Sequence, residues 1–380
     1  MNSRKRVLFV MPSYEIGGIT VSLYSLLSKI DPARVEADIL AAPVGAYKGK
    51  MPNCTELAQN IWLSYPYVGG GLLVKTFQTI VYGLRAFLAK VHINLFPLIY
   101  WIGGKSLGTD KYDAVVCFSE GIAYKVSCIP TKKYIQWIHC DYSRHLAMNN
   151  PQRERYAYTR ADKVVCVSEY AKQVFSEIYP EFADKVVAIH NVLNVEDIQA
   201  RAKDVESMDE RFQTDVFTII SCGRLDPVKQ FNMIPSIANR LKQITDKDFR
   251  WYILGDGDKE ESNTIESEIK NFKLEEVVIL LGAKSNPYPY MANAGLYVCT
   301  SQSESFPLVV NEAKALKVPV ISNDFPSVRE SIEEGIDGYV IPIEYMAEKI
   351  CWFMNNLQTV LSGRIDNSNS LQEIYKLLEA

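Results

Sequence analysis

The sequence predicts an α/β protein made of two doubly wound, Rossmann-like domains that face each other across a cleft. Short apolar runs rich in β-branched residues alternate with segments of helical spacing along the chain. The apolar runs are continuous, as in strands buried on both faces of a parallel sheet. At 380 residues, with 48% hydrophobic and 23% charged residues, the chain suits two packed domains.

The first strand-and-helix series gives a predicted domain over residues 1–195. "RVLFVMPS" is a β-branched apolar run, and "GGITVSLYSLLSKI" follows it with helical spacing. The later runs of this series are "ADILAAP", "DAVVCFSE", "KYIQWIHCD", "DKVVCVSE" and "KVVAIHNV". Each run ends in a polar loop, which is the edge where ligands bind in folds of this class.

A polar, acidic stretch between Val195 and Asp215 separates the two series. The second series comprises "VFTIISCGR", "FRWYILGDG", "VVILLGA", "GLYVCTS", "VPVISND" and "GYVI". It predicts a second Rossmann-like domain over residues 196–360. We expect a C-terminal helix at about 361–380 to pack back on the first domain.

Composition excludes several classes of protein. A net charge of −4 argues against the whole chain being a nucleic-acid binder, although not against one local basic patch. The N-terminal apolar run, Val7–Met11, is too short for a signal peptide. Eight cysteines show no CxxC pair or metal spacing, so cytoplasm is the default location. Four cysteines inside apolar runs are predicted to be buried thiols: Cys117, Cys166, Cys222 and Cys299.

Residues 57–109 differ from the rest because they hold no acidic residue but several basic ones, with dense aromatic and aliphatic runs. One interpretation is a surface that docks on an anionic lipid bilayer. The other is a core-facing helix whose Lys and Arg side chains are solvated. The residue pattern does not separate these two alternatives.

The stretch "SESFPLVVNEA" places Glu304 and Glu312 eight positions apart. Pro307 favours a first helical turn and Ser305 suits a cap, so we predict a helix over about 307–316. The first amides of that helix, near Leu308 and Val309, would form an anion site.

The two acids then bracket a ligand of recognisable chemistry. Glu312 shares the face of Leu308, about 6 Å further along the helix axis at ~1.5 Å per residue. A diphosphate at the helix tip would place ribose hydroxyls against Glu312. Glu304 would reach a hydroxyl-rich group beyond the phosphates, which indicates a nucleotide-diphosphate sugar.

Counter-charge comes from the stretch "SCGRLDPVKQF", where Arg224 follows a strand and Lys229 stands five residues later. An Arg fork with a Lys point charge is suited to hold a diphosphate. The same pair would stabilise the charge that develops on a leaving diphosphate.

Several of these motifs resemble a known family. "SESFPLVVNEA" looks like the E-x7-E signature of the retaining glycosyltransferases of family 4, which have the GT-B fold. "CGRLDPVKQF" is similar to that family's G-R-L-x-x-x-K stretch, and "ILGDGD" resembles its G-x-G loop. "SYEIGGIT", "ADKVVCVSEYAKQVF", "HNVLN" and "PVISNDFPSVRESIEEGIDGYVI" resemble further segments. The resemblance spans nearly the whole chain and is strongest over residues 217–341.

The resemblance implies a role for each matching residue. Glu312 would bind the donor ribose and Glu304 the donor sugar hydroxyls, while Arg224 and Lys229 would hold the diphosphate. His139, in "WIHCD", matches the family's histidine beside the transferred sugar. The remaining donor-binding residues would supply main-chain contacts: Phe306, Pro307, Leu308, Val309, Gly17, Gly18 and Gly223.

The resemblance also implies the reaction and its partners. A hexosyltransferase-type enzyme would move a sugar from a nucleotide-diphosphate donor, with UDP-sugar favoured over GDP-sugar, and would retain the anomeric configuration. The leaving phosphate would take the acceptor's proton, and no metal or other cofactor would be required. The acceptor would be a glycan or a polyprenyl-linked glycan of capsule, exopolysaccharide or lipopolysaccharide synthesis, reached from the cytoplasm or at the inner leaflet.

Other interpretations of the same residues stay open. Asp256-Gly257-Asp258 spells a D-x-D metal motif, although a tight turn after a strand is favoured. Gly17-Gly18 also fits a plain helix start, and His139 fits a satisfied strand-end histidine. Two competing functions are a nucleotide-sugar epimerase of the same fold and a non-catalytic, membrane-docking subunit of a glycosyltransferase pair. The loop after the first strand lacks G-x-G-x-x-G, which disfavours a nicotinamide dehydrogenase.

Overall fold

The protein is described by a computed structural model that covers residues 4–57, 96–142, 151–356 and 365–379. The chain forms two compact units, which are described separately below. One unit is Met1–Val192 with Ser368–Ala380, and the other is Leu193–Asn367. The second unit therefore begins three residues before the boundary predicted after residue 195.

In the part of the first unit that the structure describes, seven strands form a parallel sheet in the order β3-β2-β1-β4-β5-β6-β7. Strand β1 pairs with both β2 and β4, so the order of the strands reverses there and creates a switch point. The strands are β1 Lys5–Ser13, β2 Val35–Ala42, β3 Cys54–Glu56, β4 Ala114–Cys117, β5 Tyr134–Ile138, β6 Lys163–Cys166 and β7 Val186–Ala188.

Helices connect these strands, as parallel pairing requires. The helices described between these strands are α1 Gly18–Lys29, α2 Phe96–Leu107, α3 Ala123–Ser127, α4 Pro151–Arg160 and α5 Glu169–Ile178. The start of α5 shows the local sequence logic, because the Ser168 hydroxyl accepts a hydrogen bond from the Ala171 N–H. Ala171 and Phe175 then bury one face of the helix.

The described residues of the second unit form six parallel strands in the order β10-β9-β8-β11-β12-β13. They are β8 Phe217–Cys222, β9 Phe249–Leu254, β10 Val278–Gly282, β11 Leu296–Cys299, β12 Val320–Ser322 and β13 Gly338–Val340. The helices are α6 Val195–Arg201, α7 Ile234–Ile244, α8 Lys259–Asn271, α9 Tyr288–Ala292, α10 Leu308–Ala315 and α11 Met346–Asn355. A second switch point lies between β8 and β11, which are neighbours.

The core of the second unit explains why its strands are continuously apolar. Ile219 and Trp251 belong to one buried cluster, whereas Ile220 and Tyr252 belong to another. Successive residues of a strand point to opposite faces, so the sheet carries a core on each side. This two-sided burial is the property that the sequence predicted.

The last described helix, α12 Ser368–Glu379, belongs to the first unit. The Tyr375 hydroxyl accepts a hydrogen bond from the Asp31 N–H at 2.7 Å. The Arg34 guanidinium stacks on the Tyr375 ring at 3.6 Å and pairs with Glu379 at 2.6 Å. Buried Ile374 adds an apolar contact face to these polar ones.

Helix α2 is the only helix described within residues 57–109, and residues 58–95 lie outside the described ranges. One face of α2 packs closely, because a Cβ at Gly104 would lie 2.6 Å from the Pro130 ring. The opposite face exposes Leu98, Trp101 and Ile102, at 54%, 47% and 46% of their surface. Within the described ranges, no helix combines the length and apolar character needed to cross a bilayer.

The cysteine prediction is confirmed. Cys117, Cys166, Cys222 and Cys299 are all buried free thiols. Burial raises the pKa of the Cys117 thiol to about 12, so this side chain behaves as a small apolar group.

Candidate functional site

The loop that follows β8 carries Arg224 and Lys229 on different sides of a short turn. Asp226 organises this loop, since its carboxylate accepts from the Val228 N–H at 2.9 Å. The other oxygen of Asp226 pairs with Arg224 at 3.0 Å. The Arg224 side chain is 75% exposed, whereas only 20% of Lys229 is exposed. Arg224 is therefore a solvated cation and Lys229 a nearly buried one.

A close approach of two loops fixes this region. A Cβ at Gly255 would lie 1.8 Å from the Gly223 carbonyl oxygen, so only glycine fits after β9. The Gly223 N–H in turn donates to the Leu254 carbonyl at 3.0 Å. The position of Gly223 beside the turn is set by these main-chain contacts.

The D-x-D sequence lies in the same neighbourhood as a turn. The Asp258 carboxylate accepts from the Glu260 N–H and caps α8, and Asp256 accepts from the Gly257 N–H. Both carboxylates thus have a local structural role, which favours the turn interpretation. Among the residues that the structure describes, no group of three or more His, Cys, Asp or Glu could hold a metal ion.

Lys229 and Glu304 form a direct ion pair, which the sequence analysis did not predict. Lys229 Nζ lies 2.6 Å from Glu304 Oε1, and Glu304 is only 13% exposed. The Ser301 hydroxyl donates to the same oxygen at 2.8 Å. Burial acts to lower the pKa of Lys229, but Glu304 outweighs it, so this pKa lies above its ordinary value and Lys229 stays charged.

The helix after Glu304 begins one residue later than predicted, at Leu308. Pro307 is the residue before the helix, with a non-helical ψ of 83°, and the predicted Ser305 cap is wrong. The proline ring disfavours a helical backbone at the residue before it, so Phe306 does not join the first turn and Ser305 lies too far upstream to cap it. The buried Ser305 hydroxyl finds no partner among the described residues.

This shift changes which amides the helix tip offers. The Leu308 N–H already donates to the Phe306 carbonyl at 2.9 Å. Pro307 has no N–H at all. By the geometry of a helix N-terminus, the Val309 and Val310 amides are the next ones without an intrahelical acceptor. An anion at this tip would therefore meet amides one position later than the sequence indicated.

Helix α10 is held rigidly along its length. Lys314 pairs with Asp337 at 2.6 Å, and both side chains are only 8% exposed. Lys314 also donates to the Ser331 carbonyl, and the Asn311 amide donates to the Ser331 hydroxyl at 3.1 Å. These buried contacts join the helix that carries Glu312 to Ser331 and Asp337.

Glu312 lies one turn into α10 and is 7% exposed. Its Oε1 accepts a hydrogen bond from the Tyr288 hydroxyl at 3.1 Å, and the Arg201 guanidinium stacks over the Tyr288 ring at 4.6 Å. Burial raises the pKa of Glu312, whereas Tyr288 and, from further away, Arg201 and Lys229 act to lower it. Tyr288 and Arg201 could not be predicted from the sequence, because no motif joins them to Glu312.

His139 lies in the first unit, directly after β5, and is half-buried. Its ring packs on Phe118 with centroids 4.6 Å apart, and its Nε2 has no partner among the described residues. Burial lowers the pKa of His139 to about 4, against an opposing effect of the buried Glu120. Glu120, which the sequence analysis missed, accepts from the His139 main-chain N–H at 3.2 Å. The imidazole is therefore neutral at neutral pH.

Gly17 and Gly18 start α1 after the first strand. Gly17 is the cap residue, with an extended φ of 178°, and Gly18 is the first helical residue. A Cβ at Gly17 would meet nothing within 4 Å. The packing of the chain itself therefore does not demand glycine at position 17.

Residues 203–361 match the family model described as glycosyl transferases group 1. The chain is 28% identical over 188 residues to the N-acetylgalactosamine-N,N'-diacetylbacillosaminyl-diphospho-undecaprenol 4-alpha-N-acetylgalactosaminyltransferase of Campylobacter jejuni, which covers 49% of this chain and 48% of the relative. It is 26% identical over 188 residues to the amylovoran biosynthesis glycosyltransferase AmsD of Erwinia amylovora, covering 49% and 50%. The chain thus spans about half the length of these curated relatives.

The fold matches solved structures over a longer stretch. The crystal structure of Anabaena HepE in complex with UDP and glucose superposes with a TM-score of 0.73 at 18% identity, and the match covers 99% of this chain and 100% of HepE. At this identity the likeness establishes the architecture, which is the two-unit α/β arrangement known as GT-B.

Proposed function

We propose that this chain transfers a hexose-type sugar from a nucleotide-diphosphate donor with retention of configuration, because residues 203–361 match the group 1 glycosyltransferase model and the chain has the GT-B fold. The observation that carries the proposal is the buried Lys229–Glu304 pair beside the tip of α10, with Glu312 one turn deeper. A cation, a helix tip and two acids in this order suit a diphosphate held between a ribose and a sugar.

Each side chain has a proposed role in that reaction. Lys229 and the exposed Arg224 neutralise the diphosphate. Gly223 and the tip of α10 allow the main chain to approach it. Glu312 accepts from the ribose hydroxyls. Glu304 accepts from the donor sugar. For His139, and for Gly17 with Gly18, the family resemblance is the support.

The proposed transfer needs no side chain as a general base. The bond from the anomeric carbon to the diphosphate oxygen breaks, and a bond to the acceptor hydroxyl forms on the same face. The acceptor proton passes to the leaving phosphate oxygen. Lys229 and Arg224 supply the counter-charge that stabilises the departing diphosphate, so we propose that the reaction needs no metal. Turnover that is unchanged after chelation with EDTA is the expected result.

We favour a UDP-sugar as the donor and a lipid-linked glycan of surface-polysaccharide synthesis as the acceptor. HepE is described in complex with UDP and with UDP-glucose, and the Campylobacter relative is named for a diphospho-undecaprenol substrate. AmsD is named for amylovoran biosynthesis. A cytoplasmic protein that acts at the inner leaflet would meet both substrates.

The exposed face of α2 supports contact with a membrane. Leu98, Trp101 and Ile102 lie three and four residues apart, so they present one apolar stripe. Lys105 follows one turn later, although it pairs with Asp110 at 2.6 Å. An apolar stripe with a cation at its edge suits a peripheral contact with an anionic leaflet.

The test is a donor screen with purified protein, read by mass spectrometry of products with and without a polyprenyl-linked acceptor. We expect transfer from a UDP-sugar, slow donor hydrolysis without acceptor, and loss of both in Glu304→Ala. Conversion of the donor into an isomeric sugar nucleotide without acceptor would show an epimerase instead. Nucleotide binding with no turnover on any acceptor would show a non-catalytic subunit.

A further inference from the structure

The environment of Glu312 differs from that of an ordinary acidic side chain in a binding site. It is almost fully buried, and the hydrogen bond described for its carboxylate comes from the Tyr288 hydroxyl at 3.1 Å. The cations Arg201 and Lys229 act on it only from a distance. A carboxylate that is to accept from sugar hydroxyls must be both ionised and correctly oriented, and burial opposes the first of these conditions.

Tyr288 is itself held in place by neighbouring groups. It is 5% exposed and lies at the start of α9. The Arg201 guanidinium covers its ring at 4.6 Å and donates to the Ser285 carbonyl at 3.2 Å. Arg201 also lies 3.7 Å from Asp197, one turn earlier on α6. A cation over a phenol face draws electron density from the ring and makes the hydroxyl a better donor.

Helix α6 is tied to the helix that carries Glu312. The Gln199 side chain donates to the Ala315 carbonyl at the end of α10, at 2.9 Å. Arg201 on the same helix α6 covers Tyr288. The phenol and the carboxylate are therefore placed by one set of contacts, and their separation is fixed.

We propose that Tyr288 is a positioning residue that holds Oε1 of Glu312, so that Oε2 is presented to the ribose hydroxyls of the donor nucleotide. The proposal rests on the proposed function, since it assigns Glu312 to a nucleoside. The preference of this protein for a nucleotide with ribose hydroxyls over one without them then depends on the Tyr288 hydroxyl.

The test compares Tyr288→Phe with a matched control, Tyr290→Phe. Tyr290 lies on the same helix, is 1% exposed, and accepts a hydrogen bond from the Asp209 N–H at 2.7 Å, away from Glu312. Calorimetric titration with UDP and with 2′,3′-dideoxy-UDP measures both affinities for each variant. We expect Tyr288→Phe to weaken UDP by about tenfold, the effect of one hydrogen bond to a charged group, and to leave dideoxy-UDP unchanged. Tyr290→Phe should preserve the ratio of the two affinities.

The pH profile adds a readout that a purely structural role would not change. UDP affinity should fall as Glu312 becomes protonated on acidification. Loss of the Tyr288 donor raises the pKa of Glu312 further, so that fall should begin at a higher pH in Tyr288→Phe than in the wild type. An unshifted profile would overturn the proposal.

Arg201→Gln is a second variant that tests the role of Tyr288 if Tyr288→Phe does not fold. Arg201 is 31% exposed, and its substitution removes the cation over the ring but not the hydroxyl. We expect a smaller drop, about threefold, in the same UDP to dideoxy-UDP ratio. If the ratio of UDP to dideoxy-UDP affinity in these variants is unchanged from the wild type, the role of Tyr288 is overturned but the proposed function is not. Failure of the wild type to bind UDP or GDP overturns the proposed function and this inference with it.

Discussion

Two residues predicted for the site, one in each unit, lie in different electrostatic surroundings. In the second unit, the cation Lys229 and the acid Glu304 are paired at 2.6 Å, so charge is present and balanced. In the first unit, His139 is neutral, packs on an aromatic ring and leaves one nitrogen without a described partner. The difference teaches that a lysine predicted for the site keeps its charge because a buried acid pairs with it, whereas a histidine predicted for the site loses its charge because burial outweighs the nearby Glu120.

The largest expected effect breaks the charge balance of the second unit. Glu304→Ala should reduce turnover by about 100-fold or more, while the affinity for UDP alone should rise about threefold, because Lys229 loses its competing partner. Turnover assays and calorimetry check the two parts. Lys229→Ala is the matched control. It should lose both turnover and affinity for UDP. Weaker UDP binding by Glu304→Ala would show that the ion pair is not in competition with the diphosphate.

The neutral character of His139 predicts a pH dependence of stability. Its folded pKa of about 4 lies below the ordinary 6.5, so its contribution is fully present above pH 6.5 and is lost as the pH falls through 4. The free energy of unfolding falls in both proteins between pH 7 and pH 4. The fall should be smaller in His139→Gln than in the wild type, by about 3 kcal/mol. Urea unfolding at both values measures this, and equal losses in the two proteins would contradict it.

Glu312→Gln should separate stability from binding. The folded pKa of Glu312 is raised, so the stability it contributes is present below its ordinary value of 4.5 and is lost as the pH rises through the folded value. The Gln variant should therefore be more stable than the wild type at pH 7, by thermal melting. It should nevertheless bind UDP about tenfold more weakly, because its ribose acceptor is no longer charged. A Glu312→Gln variant that is less stable than the wild type at pH 7 would contradict the proposed cost of burying the ionised Glu312 carboxylate.

The smallest expected effect concerns the apolar face of the first unit. Leu98→Ser removes one half-exposed side chain of α2, and should lower flotation with anionic liposomes about fivefold. The free energy of unfolding should stay within about 0.5 kcal/mol of the wild type, because Leu98 lies at the surface. Exposed Val205 in the second unit offers a control, Val205→Ser. Equal flotation of all three proteins would leave α2 without a membrane role.

Sequence patterns were sufficient for the architecture and for the loops that carry the site. Continuous apolar runs such as "FTIIS" mark buried parallel strands, and polar residues after them, such as Arg224, fall at the ligand-binding edge. The start of α10 was wrong by one residue, because Pro307 was placed in the first turn instead of before it. Proline is compatible with both positions, and the backbone of its neighbours decides between them.

Contacts between distant residues were beyond sequence reasoning. Lys229 and Glu304 are 75 residues apart, and whether they meet depends on the alignment of two loops over neighbouring strands. The link from Arg201 through Tyr288 to Glu312 joins three elements and follows no period or motif. The stretch "NPYPYM" does show two tyrosines before a strand, but not which one faces Glu312. The membrane prediction for residues 57–109 stays a prediction, since 58–95 lie outside the described ranges.

Helix α12 returns to the unit that the chain leaves at residue 192. Residues 1–192 are therefore an incomplete folding unit, because Ile374, Leu377 and Leu378 from the far end of the chain fill part of its surface. Shortening the protein from its carboxyl end should damage the amino-terminal half first. Conversely, a peptide spanning 368–380 added in trans should restore order to a fragment that ends at residue 192.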